Sequence, residues 1–224
     1  HHGSGLHGAC EKIQEGLKPR EPMKQRTLKS KAVFEGAGLH TGRKVTVCIH
    51  PAPENAGILF CRVDLAPDLK VKASIENVCS DEMRQTAIKV GDGRVRTIEH
   101  LMAAFHGLEI DNALVEIDGE EVPGMDGSAL EFTSGLIAAG LEEQNAERQF
   151  LKMEAPVYID QGDQSIVILP ANSFSISYML NYRDADLLDQ YLSLPIMPEI
   201  FEREIAPART FCLKKEAELL ISQG

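Results

Sequence analysis

Two adjacent residues, Glu99 and His100, are the pair best suited to chemistry in this sequence of 224 residues. A carboxylate can act as a general base, and a neutral imidazole is a preferred zinc ligand. Apolar residues recur at helical spacing over residues 97–107, which predicts a helix whose first turn carries both side chains. The same pair also has a purely structural interpretation. The helix dipole alone favours a Glu in a first turn, and a His beside an apolar face commonly packs there.

Three further segments place polar side chains in turns or loops. Residues 36–42 form a Gly-rich turn that lacks the lysine of a P-loop, residues 125–128 form a loop leading into a helix, and residues 209–211 lie between two short helical patterns. None has a spacing that marks a catalytic site by itself. The sequence has no Gly-x-Ser-x-Gly elbow and no paired Cys/His motif, so serine and thiol hydrolase chemistry has no support.

Composition narrows the class of protein. The net charge is −11, with 23 basic and 34 acidic residues, and no dense basic run occurs, which excludes a binder of nucleic-acid backbones. The five scattered cysteines are odd in number and indicate reduced thiols rather than a disulfide scaffold or a cysteine zinc knuckle. No apolar run reaches the roughly 20 residues of a membrane span, and no signal-peptide pattern opens the chain. We therefore expect a soluble, cytoplasmic globular protein.

Hydrophobic patterning predicts a first α+β domain over residues 27–141. Strict alternation over residues 44–50 predicts a half-buried strand, the Gly-Asp-Gly at 91–93 predicts a hairpin turn, and residues 113–117 alternate as a further strand. Ser128 opens a capping-box pattern for a second helix. Strands and hairpins followed by helices are typical of an α+β unit.

After this domain the order of elements restarts. The polar stretch at 142–149 is predicted to be a linker, and residues 150–224 a second α+β domain that is incomplete and closes with a helical pattern at 214–222. Residues 1–26 are interpreted as an expression tag and leader. The expected fold is therefore α+β with two domains, each a sheet with helices packed on one face, and with the active site in the cleft between them.

Taken together, the residues of these motifs and their order along the chain are far more specific for one protein family than any single motif is. From about residue 27 onward the sequence resembles the bacterial UDP-3-O-acyl-N-acetylglucosamine deacetylases, the zinc enzymes of lipid A biosynthesis. The segments that carry the resemblance are Gly-Ala-Gly-Leu-His-Thr-Gly at 36–42, Arg-Val-Asp-Leu at 62–65, Thr-Ile-Glu-His-Leu-Met-Ala-Ala-Phe at 97–105, Gly-Leu-Glu-Ile-Asp-Asn at 107–112, Pro-Gly-Met-Asp-Gly-Ser-Ala at 123–129 and Ala-Arg-Thr-Phe at 208–211.

The resemblance implies a role for each matching residue. His100 would be one ligand of a zinc ion (Zn2+), Glu99 the general base on its water, and Thr210 the donor to the oxyanion, with Phe211 near the substrate. Three residues of the 36–42 turn would lie beside the active site: Leu39, His40 and Thr41. The implied reaction is hydrolysis of the acetamide of UDP-3-O-acyl-N-acetylglucosamine to UDP-3-O-acyl-glucosamine and acetate.

One departure from the family pattern matters. In the family, a His-x-x-x-Asp motif in the C-terminal half supplies the other two zinc ligands, near a lysine and a general-acid histidine, whereas the last histidine of this sequence is His106. Catalytic zinc usually has three protein ligands. We therefore expect this chain to be a fragment of the enzyme. The alternative is a non-catalytic binding or structural module that keeps the fold without bound metal.

Overall fold

A computed structural model describes residues 23–81, 84–181, 189–211 and 218. The chain divides into two compact units. Of the described residues, those within 24–146 and from 197 onward belong to the first unit, and Met23 with those within 147–196 belongs to the second. Strands and a few helices make up the described chain, which confirms the predicted α+β class. The cleft between two domains stays a prediction.

A five-stranded sheet forms the centre of the first unit. Its strands are β2 (Ala32–Ala37), β3 (Lys44–Pro51), β4 (Ile58–Arg62), β5 (Val71–Lys72) and β8 (Ala113–Ile117). Their spatial order is β2-β3-β8-β4-β5, and β8 and β4 are the only neighbouring pair in this sheet that runs parallel. The alternating face predicted for residues 44–50 is confirmed, since Val45, Val47 and Ile49 are all buried.

Two short two-stranded sheets complete the strands of this unit. A hairpin pairs β6 (Ile88–Val90) with β7 (Gly93–Val95), as the turn signal predicted. The other sheet pairs β1 (Lys24–Leu28) with β9 (Leu141–Glu147). Residues 142–147 therefore lie in a strand where a linker was predicted, and β1 begins at Lys24, within the predicted leader.

Polar side chains explain why hydropathy did not reveal β9. The Gln144 amide oxygen accepts a hydrogen bond of 2.7 Å from the side-chain amide of Asn112, and the Gln144 amide nitrogen donates to the carbonyl of Ala52 at 3.0 Å. Asn112 is almost fully buried. The strand is held by an amide network instead of an apolar face, so it carries no alternating hydrophobic signal.

Two helices pack on the sheet and close the core. These are α1 (Glu99–Gly107) and α2 (Leu130–Ala139). The core joins buried side chains of both helices to those of the sheet, and the rings of Phe34 and Phe132 meet edge to face with their centroids 5.0 Å apart. None of the described helices is long and apolar enough to cross a membrane.

The 197–211 segment packs on these helices, although it was predicted to belong to the second domain. It contains α3 (Pro198–Ile200) and one π-helical stretch, Phe201–Ile205. The ring of Phe201 is buried against Gly107 at the end of α1, and the Ala129 amide donates to the carbonyl of Ala206 at 3.1 Å. Phe201 and Ala206 bury their side chains in a small apolar cluster with Ala129, which holds the segment on the first unit.

The described part of the second unit, residues 147–181 and 189–196, contains strands and no helix. One hairpin pairs β10 (Val157–Gln161) with β11 (Gln164–Ile168), and another pairs β12 (Ser175–Leu180) with β13 (Gln190–Pro195). All four lie close to the strands that the hydrophobic pattern predicts at 156–159, 165–169, 174–182 and 191–194. The helix predicted at 214–222 lies outside the described residues, apart from residue 218.

Candidate active site

A buried carboxylate, Glu121, links the segments that carry the candidate residues. Glu121 is 2% exposed. Its Oε1 accepts hydrogen bonds from the backbone amide of His40 and the hydroxyl of Thr97, both at 2.9 Å, and its Oε2 accepts one from the backbone amide of Thr41 at 2.8 Å. The 36–42 turn and Thr97, two residues before the first residue of α1, are thus joined through one side chain.

These hydrogen bonds keep the carboxylate ionised. Burial alone would raise the pKa of the Glu121 carboxyl, because a charge is poorly solvated in the interior. The donors from His40, Thr41 and Thr97 outweigh burial and hold the pKa below its ordinary value. The site therefore contains a fixed negative charge at neutral pH.

The 36–42 turn is shaped by close backbone approach. A Cβ at Gly38 would collide with Oε2 of Glu121 and with the hydroxyl of Thr41, so only glycine fits there. The turn is closed by hydrogen bonds from the Gly42 amide to the carbonyl of Gly38 at 3.0 Å and from the Gly38 amide to the carbonyl of Arg43 at 2.9 Å. Leu39 and His40 are exposed and Thr41 is half-buried. The turn therefore presents its side chains outward from a rigid backbone.

The entry to α1 is strained. Thr97 has a φ of +56°, a left-handed conformation that costs about 1–3 kcal/mol for a side chain of this kind. Thr97 is almost fully buried, and Ile98 rather than Thr97 is the residue that caps the helix. Threonine before this apolar helical run predicts a helix cap, but the Thr97 hydroxyl bonds to Glu121 and lies 3.1 Å from the side-chain amide oxygen of Gln85 instead. Strain of this size persists only where surrounding contacts hold it.

Glu99 and His100 follow directly, side by side in the first turn of α1 and both half-buried. Oε2 of Glu99 accepts a hydrogen bond of 2.9 Å from the backbone amide of Thr86, which fixes the carboxylate. Oε1 of Glu99 and the imidazole of His100 have no hydrogen-bond partner among the described residues. Both side chains can therefore act on a ligand without first breaking a bond at those atoms.

The described residues do not form a zinc site by themselves. No group of three or more His, Cys, Asp or Glu side chains is placed there so that it could hold a metal ion. His100 supplies at most one histidine ligand, whereas a catalytic zinc usually has three protein ligands. The role of His100 as a zinc ligand therefore stays a prediction.

The 123–128 loop lies against the 36–42 turn. The Gly124 amide donates to the carbonyl of Ala37 at 2.9 Å, and Gly38 and Pro123 form a bridge. The carboxylate of Asp126 accepts hydrogen bonds from the amide of Ser128 at 2.9 Å and from its hydroxyl at 2.6 Å. These bonds hold the loop at the start of α2.

Thr210 is bound to this loop. Its amide donates to the carbonyl of Gly127 at 2.8 Å, and Nε of Arg209 donates to the carbonyl of Asp126 at 2.7 Å. Thr210 and Phe211 are exposed. No hydrogen bond joins Thr210 to Glu99 or His100 among the described residues, so the expected approach of these side chains to one substrate group stays a prediction.

The Arg-Val-Asp-Leu motif at 62–65 has a structural role beside the site. Arg62 is 6% exposed, and its guanidinium donates from Nε and Nη2 to the two oxygens of Asp64 at 2.8 and 2.6 Å and from Nη1 to the carbonyl of Arg94 at 2.7 Å. The hydrogen bond from Arg62 holds the pKa of the Asp64 carboxyl below its ordinary value. Both residues line a cavity of about 190 Å³ that Thr41 and Glu121 also line.

Glu121 was missed by motif reasoning. It stands in a polar stretch, Asp-Gly-Glu-Glu at 118–121, that reads as a turn between a strand and a loop. Two of its donors are the backbone amides of His40 and Thr41, and a backbone amide carries no residue-type signal. Only the approach of two distant segments to its carboxylate reveals it.

Comparison with known proteins identifies the family of this chain. A family model described as LpxC, UDP-3-O-acyl N-acetylglycosamine deacetylase, matches residues 25–224, and the chain belongs to this family. A UDP-3-O-acyl-N-acetylglucosamine deacetylase of Citrifermentans bemidjiense is 42% identical over 200 residues, which cover 89% of this chain and 65% of that relative. Enzymes of the same name from Teredinibacter turnerae and Actinobacillus succinogenes are 42% and 40% identical, each over 90% of this chain and 67% of the relative. The chain thus spans about two thirds of the length of these relatives.

Proposed function

We propose that this chain forms the Glu99-bearing part of a deacetylase that hydrolyses the acetamide of UDP-3-O-acyl-N-acetylglucosamine, releasing acetate and leaving UDP-3-O-acyl-glucosamine, in lipid A biosynthesis. The observation that carries the proposal is the pair Glu99 and His100, half-buried at the start of α1 beside the turn that Glu121 holds. The names of the curated relatives support the substrate. A nucleotide-sugar substrate of this kind places the reaction in the cytoplasm.

Glu99 is suited to the role of general base. Its Oε2 is held by the Thr86 amide, so Oε1 can take a proton from a water molecule as that water attacks the acetamide carbonyl. The proton must then reach the amine as the C–N bond breaks. The Thr210 hydroxyl is proposed to donate to the carbonyl oxygen on which negative charge builds.

Substrate contacts are proposed for the exposed residues around this pair. Leu39 and Phe211 are 58% and 59% exposed, and both side chains are proposed to contact apolar parts of the substrate. His40 and Thr41 lie on the same turn as Leu39, with their amides committed to Glu121.

Among the described residues, we propose His100 alone as a zinc ligand. The other ligands of this zinc ion are proposed to lie outside the described residues. The alternative, a non-catalytic module of the same fold, is favoured by one observation: the described residues contain no cluster able to hold a metal. Metal analysis separates the two, since the enzyme predicts near one zinc per molecule in a form that spans the full length of its relatives, whereas the module predicts none. His100→Ala is expected to abolish that zinc.

The sharpest test of the base is Glu99→Gln, assayed by acetate release in the same full-length form. Removal of a general base is expected to lower turnover by about 100-fold or more. Glu131→Gln is the matched control, because Glu131 also lies in a first turn, that of α2, and is exposed. Thermal unfolding should change equally little in both variants. Near wild-type turnover of Glu99→Gln would leave Glu99 as a helix-dipole residue and refute the proposed role.

A further inference from the structure

We propose that Glu121 is the positioning residue of this site: its buried carboxylate fixes the 39–41 backbone against the start of α1 and so sets where Leu39 and His40 lie relative to Glu99 and His100. The consequence for catalysis rests on the proposed function. The geometric part does not, since it concerns only contacts within this chain.

Both oxygens of Glu121 are needed for this link. Oε1 bridges two segments, because it accepts from the His40 amide and from the Thr97 hydroxyl, while Oε2 accepts from the Thr41 amide. A glutamine has only one acceptor oxygen and turns an NH₂ group toward the other donor. Glu121→Gln therefore breaks the link with almost no change in volume.

The frame around Glu121 is rigid on both sides. The Arg96 amide donates to the carbonyl of Glu120 at 2.8 Å, and the Val122 amide donates to the carbonyl of Arg96 at 3.0 Å. Glu121 is thereby held beside Arg96, one residue before Thr97, whose left-handed backbone leads into α1. Because these backbone hydrogen bonds fix Glu121, its carboxylate in turn fixes the backbone of the exposed 36–42 turn.

Residue choice on the turn agrees with this role. Gly38 leaves the space that Glu121 Oε2 and the Thr41 hydroxyl occupy, so a methyl group there would push the carboxylate off its donors. Gly38→Ala thus disturbs the same link from the opposite side, without altering Glu121. Gly38 is not among the positive-φ glycines, and alanine therefore acts there through the collision rather than through backbone strain.

The first experiment measures amide hydrogen exchange in this chain by NMR. In Glu121→Gln, the His40 and Thr41 amides should exchange about 10- to 100-fold faster, as expected for loss of hydrogen bonds to a charged group. The Met102 amide, bonded to Ile98 in α1, should be unchanged. Glu121→Asp keeps the charge and both oxygens on a shorter side chain and should restore part of the protection. Glu120→Gln is the matched control, since Glu120 is adjacent and half-buried and its side chain makes no hydrogen bond to the part of the chain that the structure describes.

Two further variants keep the test open if Glu121→Gln does not fold. Thr97→Val removes the hydroxyl that donates to Glu121 while keeping the shape of the side chain, and Thr97→Ser, which keeps a hydroxyl, should restore the bond. Gly38→Ala adds a methyl group that collides with the Glu121 carboxylate and the Thr41 hydroxyl. Each should speed exchange at His40 and Thr41. Unchanged exchange at these two amides, or equal acceleration of all amides including those of β3 and β8, would overturn the proposal and leave Glu121 as a general stability residue.

The second experiment is kinetic and uses a form that spans the full length of the relatives. Because the turn is proposed to contact substrate while Glu99 is fixed by Thr86, Glu121→Gln should raise KM about tenfold and lower kcat less. A fall in kcat with KM unchanged would contradict the positioning role. If the wild-type protein releases no acetate, the proposed function fails, and the exchange result still decides whether Glu121 fixes the turn.

Discussion

Glu121 and Arg62 are charged side chains that lie almost wholly buried, and each is surrounded by hydrogen-bond partners. Glu121 accepts from two amides and one hydroxyl, and Arg62 donates to both oxygens of Asp64 and to a carbonyl. Burial of a charge is costly unless such partners replace water. Removing one member of either set leaves the remaining groups buried without compensation, so both sets constrain the residues around them.

The pH dependence of stability should reveal the Glu121 charge. Glu121→Gln is expected to lower the free energy of unfolding by about 1–3 kcal/mol near pH 7, because buried donors lose their acceptor. The folded-state pKa lies below the ordinary value of 4.5, so this contribution is present above that value and is lost as pH falls through the folded pKa. Urea unfolding from pH 7 to pH 3 should therefore show the gap between wild type and variant narrowing only below about 4.5.

The control for this measurement is Glu120→Gln. Glu120 is the neighbour of Glu121 in sequence, but its carboxylate does not accept the hydrogen bonds from His40, Thr41 and Thr97. The free energy of unfolding of Glu120→Gln should therefore differ little from that of wild type at every pH. A gap for Glu121→Gln that stays constant down to pH 3 would show that folding does not lower the pKa of the Glu121 carboxyl.

Residue types in the motifs pointed to the pair Glu99 and His100 and to the 36–42 turn, but not to their connection. Thr97 was interpreted as a helix cap because threonine before an apolar helical run is a common cap. Its hydroxyl instead bonds to Glu121, and its backbone adopts a left-handed conformation that sequence does not predict for a β-branched residue. Long-range hydrogen bonds to a single carboxylate decide both features.

At the scale of elements, periodicity succeeded wherever one face is buried in the apolar core. β3, α1 and β8 each bury a regular set of side chains and were predicted within two residues. β9 was missed because its inward contacts are amide groups. The 197–211 segment was predicted as a short helix and a loop, but its attachment to the first unit depends on Phe201 filling the space above Gly107, which no local pattern shows.

Gly107→Ala tests that attachment. Alanine is intrinsically better than glycine in a helix by about 1 kcal/mol, so an unstrained site would gain stability. Here the added methyl collides with the buried ring of Phe201, and overpacking of this kind costs about 1–3 kcal/mol. We expect a lower free energy of unfolding and faster trypsin cleavage at Arg203, measured by urea unfolding and limited proteolysis.

The double variant Gly107→Ala, Phe201→Leu supplies the control. A smaller side chain at position 201 should remove part of the collision, so the two changes should be less destabilising together than the sum of their separate effects. Additive effects, or a Gly107→Ala protein as stable and protease-resistant as wild type, would mean that Phe201 does not pack on α1.

At the scale of the whole molecule, the two units differ sharply in how they bury apolar surface. The first has one continuous core between the sheet and two helices. In the second, every described residue of β10, β11, β12 and β13 is exposed or half-buried, and large apolar side chains such as Tyr158, Ile166, Met179 and Tyr191 are open to solvent. Patterning predicted these strands correctly, because local alternation and turn residues do not depend on whether a face is covered.

This difference predicts unequal protection of the backbone amides against hydrogen exchange. An isolated two-stranded hairpin is at best marginally stable in water, whereas strands in a packed core open only with a large part of the domain. In the 224-residue chain, amides paired between β10 and β11 and between β12 and β13 should exchange at least about 100-fold faster than those paired between β3 and β8. Mass spectrometry of peptic fragments after deuterium labelling resolves these regions. The β6–β7 hairpin is an internal control, since its strands are shorter than those of β10 to β13 but it buries Ile88, Val90 and Val95, and it should exchange slowly. Protection of β10 to β13 equal to that of the central sheet would show that their apolar faces are covered in solution, by a second copy of the chain if the protection depends on protein concentration.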